Sequence, residues 1–192
     1  NFSVELIPFF WIPESTMLAR LKRERIPYDV WSRTPTPDQP WLRVTPGPVV
    51  DHDLIYQQFV DDIGKRYRPQ RVGYDAHNAT QFALQLRDRG KYTVVDVPQG
   101  RALSESFKLF EALVLLRRIR HNGNPVMTHC VANAEAKRDR YRNLWIEKPS
   151  QTKPIDGLIA AVIALSQLVL LPAKPKKSRG PLVWTPGGFV RA

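Results

Sequence analysis

The chain has 192 residues, 43% of them hydrophobic, and a formal net charge of +11. That length allows one domain with a real core and a tail, and the positive field favours a polyanionic partner, nucleic acid first. A single cysteine, Cys130, excludes an intrachain disulfide and a multi-cysteine zinc site and fits a reducing compartment.

Residues 2–12, "FSVELIPFFWI", are rich in aromatic and branched side chains and predict a strand. Met17, Leu18 and Leu21 then recur at helical spacing, with basic residues between them, in a short amphipathic helix. The prolines of 31–49 predict a loop and an extended segment with a Pro-Gly turn. Leu54, Ile55, Phe59 and Ile63 share one face of a helix expected to end near Gly64. "RVGYD" (71–75) predicts a short strand, and 78–90 a helix capped by Asn78 and stopped by Gly90. "YTVVDVP" (92–98) reads as a strand, 103–121 as a helix capped by Ser104, and 124–134 as a short helix. The basic stretch 137–154 has room for a small hairpin. The most apolar run, 157–171, contains Ser166 and Gln167 and is shorter than the roughly 20 residues that cross a bilayer, so a buried helix is expected there. No signal peptide is visible. Residues 172–192 read as a basic, flexible tail that takes part of the charge excess. Strands alternating with helices predict an α/β layer architecture over 1–171.

Two carboxylates stand out. Asp75 follows a strand and precedes a helix, where a carboxylate either caps the helix or holds a ligand at the carboxyl end of the strand. Asp156 opens the apolar last helix; the helix dipole is one sufficient reason, and apolar neighbours predict partial burial, which favours a bound cation. Together the two have the chemistry of a divalent-ion site, since Mg²⁺ takes one or two carboxylates plus phosphate oxygens and water. His121 and His129 lack helical zinc spacing, and Gly64-Lys65 lacks the upstream glycine of a phosphate-binding loop. "RDRYRN" (138–143) and "KPSQTK" (148–153) are either solvated faces or DNA contacts.

The ordered set "FFWIPE", "PYDVW", "VTPGPVVD", "VGYDAHNATQFALQL", "VDVPQG", "HNGNPVMTHCVANA" and "EKPSQTKPIDGLIAAVIA" resembles the C-terminal nuclease domain of the terminase large subunit of tailed bacteriophages, of the HK97-like kind, from about residue 5 to residue 166. The resemblance implies an RNase H-like mixed sheet flanked by helices and a metal-dependent endonuclease cutting concatemeric double-stranded DNA with Mg²⁺ or Mn²⁺, two ions being expected. Asp75 matches the family's second acidic ligand and Asp156 its last, with both catalytic through the metal. Lys148 falls at a basic position of the family pattern. Lys153, Arg140 and Arg142 are the further DNA-contact candidates. Gln99, Gly100, Asn124 and Pro125 match positions with structural roles. The family's first acid lies on a strand expected upstream of Asn1, and Asp96 is the neighbour that can stand beside Asp75. Implied partners are DNA, a packaging ATPase domain, the small terminase subunit and the portal, in the host-cell cytoplasm, with no membrane. The alternatives are a catalytically silent DNA-binding or motor-docking fragment, or another nuclease of the same fold, of resolvase or transposase type.

Overall fold

The computed structural model describes residues 2–36, 39–150, 152–171, 182–185 and 188–191. Its centre is the helix α8, Asp156–Leu168. Leu158, Val162 and Ile163 of that helix are buried with Val97, Leu103, Phe107 and Leu144. A run with seven buried positions in thirteen residues is apolar all round, which is what a helix covered on several sides requires.

Against α8 lies a parallel pair, β6 (Val72–Tyr74) and β7 (Val94–Asp96), in the register Gly73↔Val95 and Tyr74↔Asp96. The crossover between them is α5, Ala76–Asp88, packed against both strands. Its cap is Asp75, whose carboxylate accepts from the His77 N–H, and not Asn78, which lies inside the helix. An aspartate at the strand end reaches the free N–H groups of the first turn, so the helix starts two residues earlier than predicted.

The predicted strand 2–12 is two strands. β1 (Val4–Leu6) pairs in parallel with β8 (Ile119–His121), and β2 (Trp11–Pro13) in parallel with β5 (Arg43–Thr45). Pro8 has no N–H for a ladder, and the chain changes partner around it. Helix α1 (Glu14–Arg23) and the short α2 (Tyr28–Trp31) cover β2 through a second core of Ile12, Tyr28, Leu42 and Val126. A small antiparallel pair, β3 (Pro35–Thr36) with β4 (Gln39–Pro40), stands in the proline-rich loop.

The helix predicted to end near Gly64 continues. After α3 (His52–Gln58) a π-helical turn, Phe59–Gly64, leads into α4 (Lys65–Tyr67), and the helix stops at Arg68, φ 48°. Gly64 is there for space: a side chain would collide with the Tyr92 hydroxyl. Ser104 is likewise no cap. It begins α6 (Ser104–Leu115) as a buried residue, and its hydroxyl accepts from the Leu144 N–H at 2.8 Å. α6 ends at Leu115, and the left-handed Arg117 (φ 53°) turns the chain into β8, a strand where the sequence predicts helix to His121.

Helix α7 (Pro125–Ala132) is capped by Asn124, whose Oδ1 accepts from the Val126 and Met127 N–H groups, with Pro125 in the first turn. The predicted hairpin is present as β9 (Glu135–Arg138) and β10 (Leu144–Glu147), antiparallel. In the tail, residues 172–181 lie outside the described residues, and the backbone of β11 (Leu182–Thr185) and β12 (Gly188–Arg191) forms a second hairpin. No described helix is long and apolar enough to cross a membrane.

Candidate active site

Asp75 is half-buried at the carboxyl end of β6. Beside it, on the neighbouring strand, Asp96 ends β7 and is exposed. Asp75, Ala76, His77, Asp96, Val97, Pro98 and Gln99 line one open pocket of about 380 Å³. Gly100, at φ 71°, follows Gln99 in a backbone conformation that favours glycine. Capping is thus part of what Asp75 does, because one carboxylate oxygen takes the His77 N–H at 3.1 Å.

Asp156 is different. It is exposed, not partly buried as its neighbours in sequence predicted, because Ile155, Gly157 and Leu158 turn inward and leave it facing out. It stands in the first turn of α8, and the cap position, Ile155, makes no side-chain cap bond. Among the described residues the Asp156 carboxylate forms no hydrogen bond or ion pair. Its charge is felt by Cys130: burial pushes that thiol up, a hydrogen bond from the Gly157 backbone pulls it down, and the Asp156 carboxylate pushes it up further.

Gly73 of β6 lies against Ile163 and Gln167 of α8 and against Val97, whose N–H bonds the Tyr74 carbonyl and which packs in the cluster of Leu158, Val162 and Ile163. Asp156 does not line the pocket of Asp75. Among the described residues no group of three or more His, Cys, Asp or Glu is placed to hold a metal ion. The donor set these elements offer, carboxylates at one strand end and one helix start, is the all-oxygen chemistry that Mg²⁺ and Mn²⁺ take.

The cationic candidates are all exposed. Lys148 and Lys153 sit in the loop between β10 and α8, and Arg140 and Arg142 in the turn of the β9–β10 hairpin. His121 ends β8, exposed, its Nδ1 accepting from the Gly123 N–H. His129 packs inside, 5.7 Å from the Trp31 ring centroid, and touches no carboxylate of the site. Arg101 carries no motif in the sequence, yet it lies 3.5 Å from Asp139 and over the Trp145 ring, joining the loop after β7 to the hairpin. Its partners lie more than thirty positions away, in "RDRYRNLW", so no local pattern in the sequence points to it.

Comparison with known proteins gives a consistent result. A family model described as "Terminase large subunit, endonuclease domain" matches residues 5–170. The terminase large subunit of Enterobacteria phage HK97 is 31% identical over 163 residues, 84% of this chain and 31% of that protein. Protein YmfN of Escherichia coli strain K12 is 27% identical over 170 residues, 85% of this chain and 36% of that one. The crystal structure of the HK97 large terminase superposes with a TM-score of 0.72 at 31% identity, over 85% of this chain and 33% of that one. A looser likeness, TM-score 0.47 at 15% identity over 62% of each chain, is to the large terminase nuclease of thermophilic phage G20c with bound magnesium. The chain spans about a third of the length of the curated relatives it matches.

Proposed function

Starting from a chain that belongs to the endonuclease-domain family of terminase large subunits and has its RNase H-like fold, we propose that residues 1–171 are a metal-dependent endonuclease domain acting on double-stranded DNA, with 172–192 as a basic tail. Asp75 and Asp156 would hold Mg²⁺ or Mn²⁺, with two ions expected. A bound ion of this kind lowers the pKa of a coordinated water and neutralises charge at the phosphodiester. The observation that carries this reading is Asp156: an exposed carboxylate at the start of the most apolar helix, with no cap bond to make.

The remaining work falls to the chain's own side chains. Asp75 is fixed in rotamer by its bond to the His77 N–H, so one of its oxygens is oriented before any ligand arrives. Lys148 and Lys153 flank the approach to Asp156, and Arg140 and Arg142 extend the cationic surface, where they bind phosphate oxygens and orient the backbone of the duplex. Contacts of this kind carry no base code, so sequence selectivity in this domain is low.

A third carboxylate is expected on an added strand, and a cleft of about 460 Å³ between β1 and β6 supports that reading. Val4–Leu6 form one wall and Arg71–Gly73 the other, with Ala161, Ala164 and Leu165 of α8 beneath. Gln167 also lines the cleft; it is 6% exposed and its Oε1 has no hydrogen-bond partner among the described residues. An extended strand lying there would supply an N–H to that oxygen and to the strand edges. Work on concatemeric DNA beside a packaging ATPase, a small terminase subunit and a portal, in the host-cell cytoplasm, is part of the same proposal.

The test is plasmid cleavage by this chain with Mn²⁺, with and without EDTA. EDTA-sensitive nicking that disappears in Asp156→Asn supports the reading. DNA binding without any cleavage would leave the chain a silent docking or binding module. Cleavage confined to branched DNA would make it a resolvase-like nuclease.

A further inference from the structure

The turn of the β9–β10 hairpin is fixed from inside. The Asp139 carboxylate accepts from the Tyr141 N–H, the Asn143 N–H and the Asn143 side-chain amide, each at 2.9 Å. The Arg142 N–H bonds the Asp139 carbonyl at 2.9 Å, with Arg142 in the left-handed region at φ 64°. Such a turn presents Arg140, Tyr141 and Arg142 in one arrangement. Tyr141 is 69% exposed. The Arg140 guanidinium lies 4.7 Å from its ring centroid and donates to its hydroxyl at 2.6 Å. Lower on the hairpin, Lys137 and Arg138 are paired with Glu135 and Glu111, whereas Arg140 and Arg142 form no ion pair among the described residues.

The hairpin is also tied to the candidate site. Arg101 lies 3.5 Å from Asp139 and 5.2 Å from the Trp145 ring centroid, and Gln99, two residues before it, lines the pocket of Asp75. At its other end β10 leads into Lys148 and the loop to Asp156. Four strand residues at about 3.4 Å each set the turn roughly 14 Å from Lys148, the rise of about four base pairs. An exposed ring adds little to a fold, so a turn that holds one rigidly between two unpaired arginines has its use at the surface.

We propose that this turn is a nucleic-acid finger: Tyr141 packs its ring on a deoxyribose of the duplex backbone, and Arg140 and Arg142 bind the flanking phosphates. The position of that duplex rests on the nuclease reading above. Asp139 is a positioning residue, and Arg101 braces it. A contact with the sugar carries no base code, which suits a domain of low selectivity.

Fluorescence anisotropy with a labelled duplex, in Ca²⁺ so that binding is read without cutting, tests this in the full chain. Tyr141→Ala is expected to weaken binding about tenfold, and Tyr141→Phe, which keeps the ring, to bind as the parent does. Asp139→Ala is expected to weaken binding with Tyr141 still present, and Asp139→Asn, which keeps an acceptor for the two backbone N–H groups, to restore most of it. Circular dichroism checks that each variant folds. Parent-like affinity in Tyr141→Ala overturns the finger. Plasmid cutting by the parent chain separates the two readings. If the parent cuts while Tyr141→Ala binds normally, the finger alone is wrong. If the parent fails to cut while Tyr141→Ala binds weakly, the nuclease assignment fails and the finger stands as a binding element.

Discussion

A methyl group on Gly73 would stand 2.8 Å from the Cγ2 of Ile163, so β6 and α8 touch with no side chain between them. Forcing one in costs about 1–3 kcal/mol by overpacking. Gly73→Ala is therefore expected to lower the urea midpoint. The contact also sets the distance between the strand that ends in Asp75 and the helix that begins with Asp156. Cleavage per folded molecule should fall with it. Unchanged cleavage in a destabilised Gly73→Ala would mean that the spacing of strand and helix is unimportant to the chemistry.

Asp75→Asn and Asp156→Asn separate capping from metal binding. Asparagine caps a helix about as well as aspartate, so Asp75→Asn should hold its stability to within about 0.5 kcal/mol while metal-dependent nicking is lost. Asp156→Asn removes no cap bond and should behave in the same way. Thermal unfolding and plasmid cleavage, run side by side, check both. Retained nicking in either variant removes that residue from the site.

Binding to duplex DNA should be steeply salt-dependent, given the +11 charge and the exposed Lys148, Lys153, Arg140 and Arg142. A surface that neutralises six or more phosphates loses about a thousandfold in affinity between low and moderate salt. Lys148→Ala should weaken unrelated sequences alike and reduce the salt slope by about 1. A flat salt profile, measured by titration at several ionic strengths, would reject this surface as the contact.

His129 should make stability depend on pH. Burial holds its imidazole below the ordinary 6.5, with Glu24 pulling it up and Arg20 pushing it down. Asn133 Nδ2 lies 3.1 Å from its Nε2 and also donates to the Pro154 carbonyl at 3.1 Å, so the neutral ring is the one that fits. With the folded value below the unfolded one, the unfolded chain holds more protons between the two, and stability rises with pH there. The contribution is whole above about pH 6.5 and is lost as pH falls through the folded value. Denaturation followed across that window should show the slope, and His129→Gln should flatten it.

Much of the chain was legible because it is locally determined. "RVGYD" and "YTVVDVP" are short branched runs bounded by breakers, and β6 and β7 lie within them. Asn124-Pro125 is a start signal written in adjacent residues, and α7 begins there. The basic stretch with room for a turn is the β9–β10 hairpin. The motif order also carried the family, although several of its pieces, such as the start of α8, combine core positions with site candidates.

Tertiary contact decided the rest. Nothing local reveals that the chain on either side of Pro8 joins two different pairings, since β1 finds its partner in β8, more than a hundred positions away. Ser104 has the residue type of a cap, but the Leu144 N–H claims its hydroxyl from across the core. Gly64 has the residue type of a helix stop, yet it serves the Tyr92 ring, and the helix runs on through a π-helical turn. Asp156 was expected to be half-buried from its apolar neighbours, and a helix turning those neighbours inward left it exposed. A residue's type limits what it can do, but which of those things it does depends on the atoms that the fold brings to it from far along the chain.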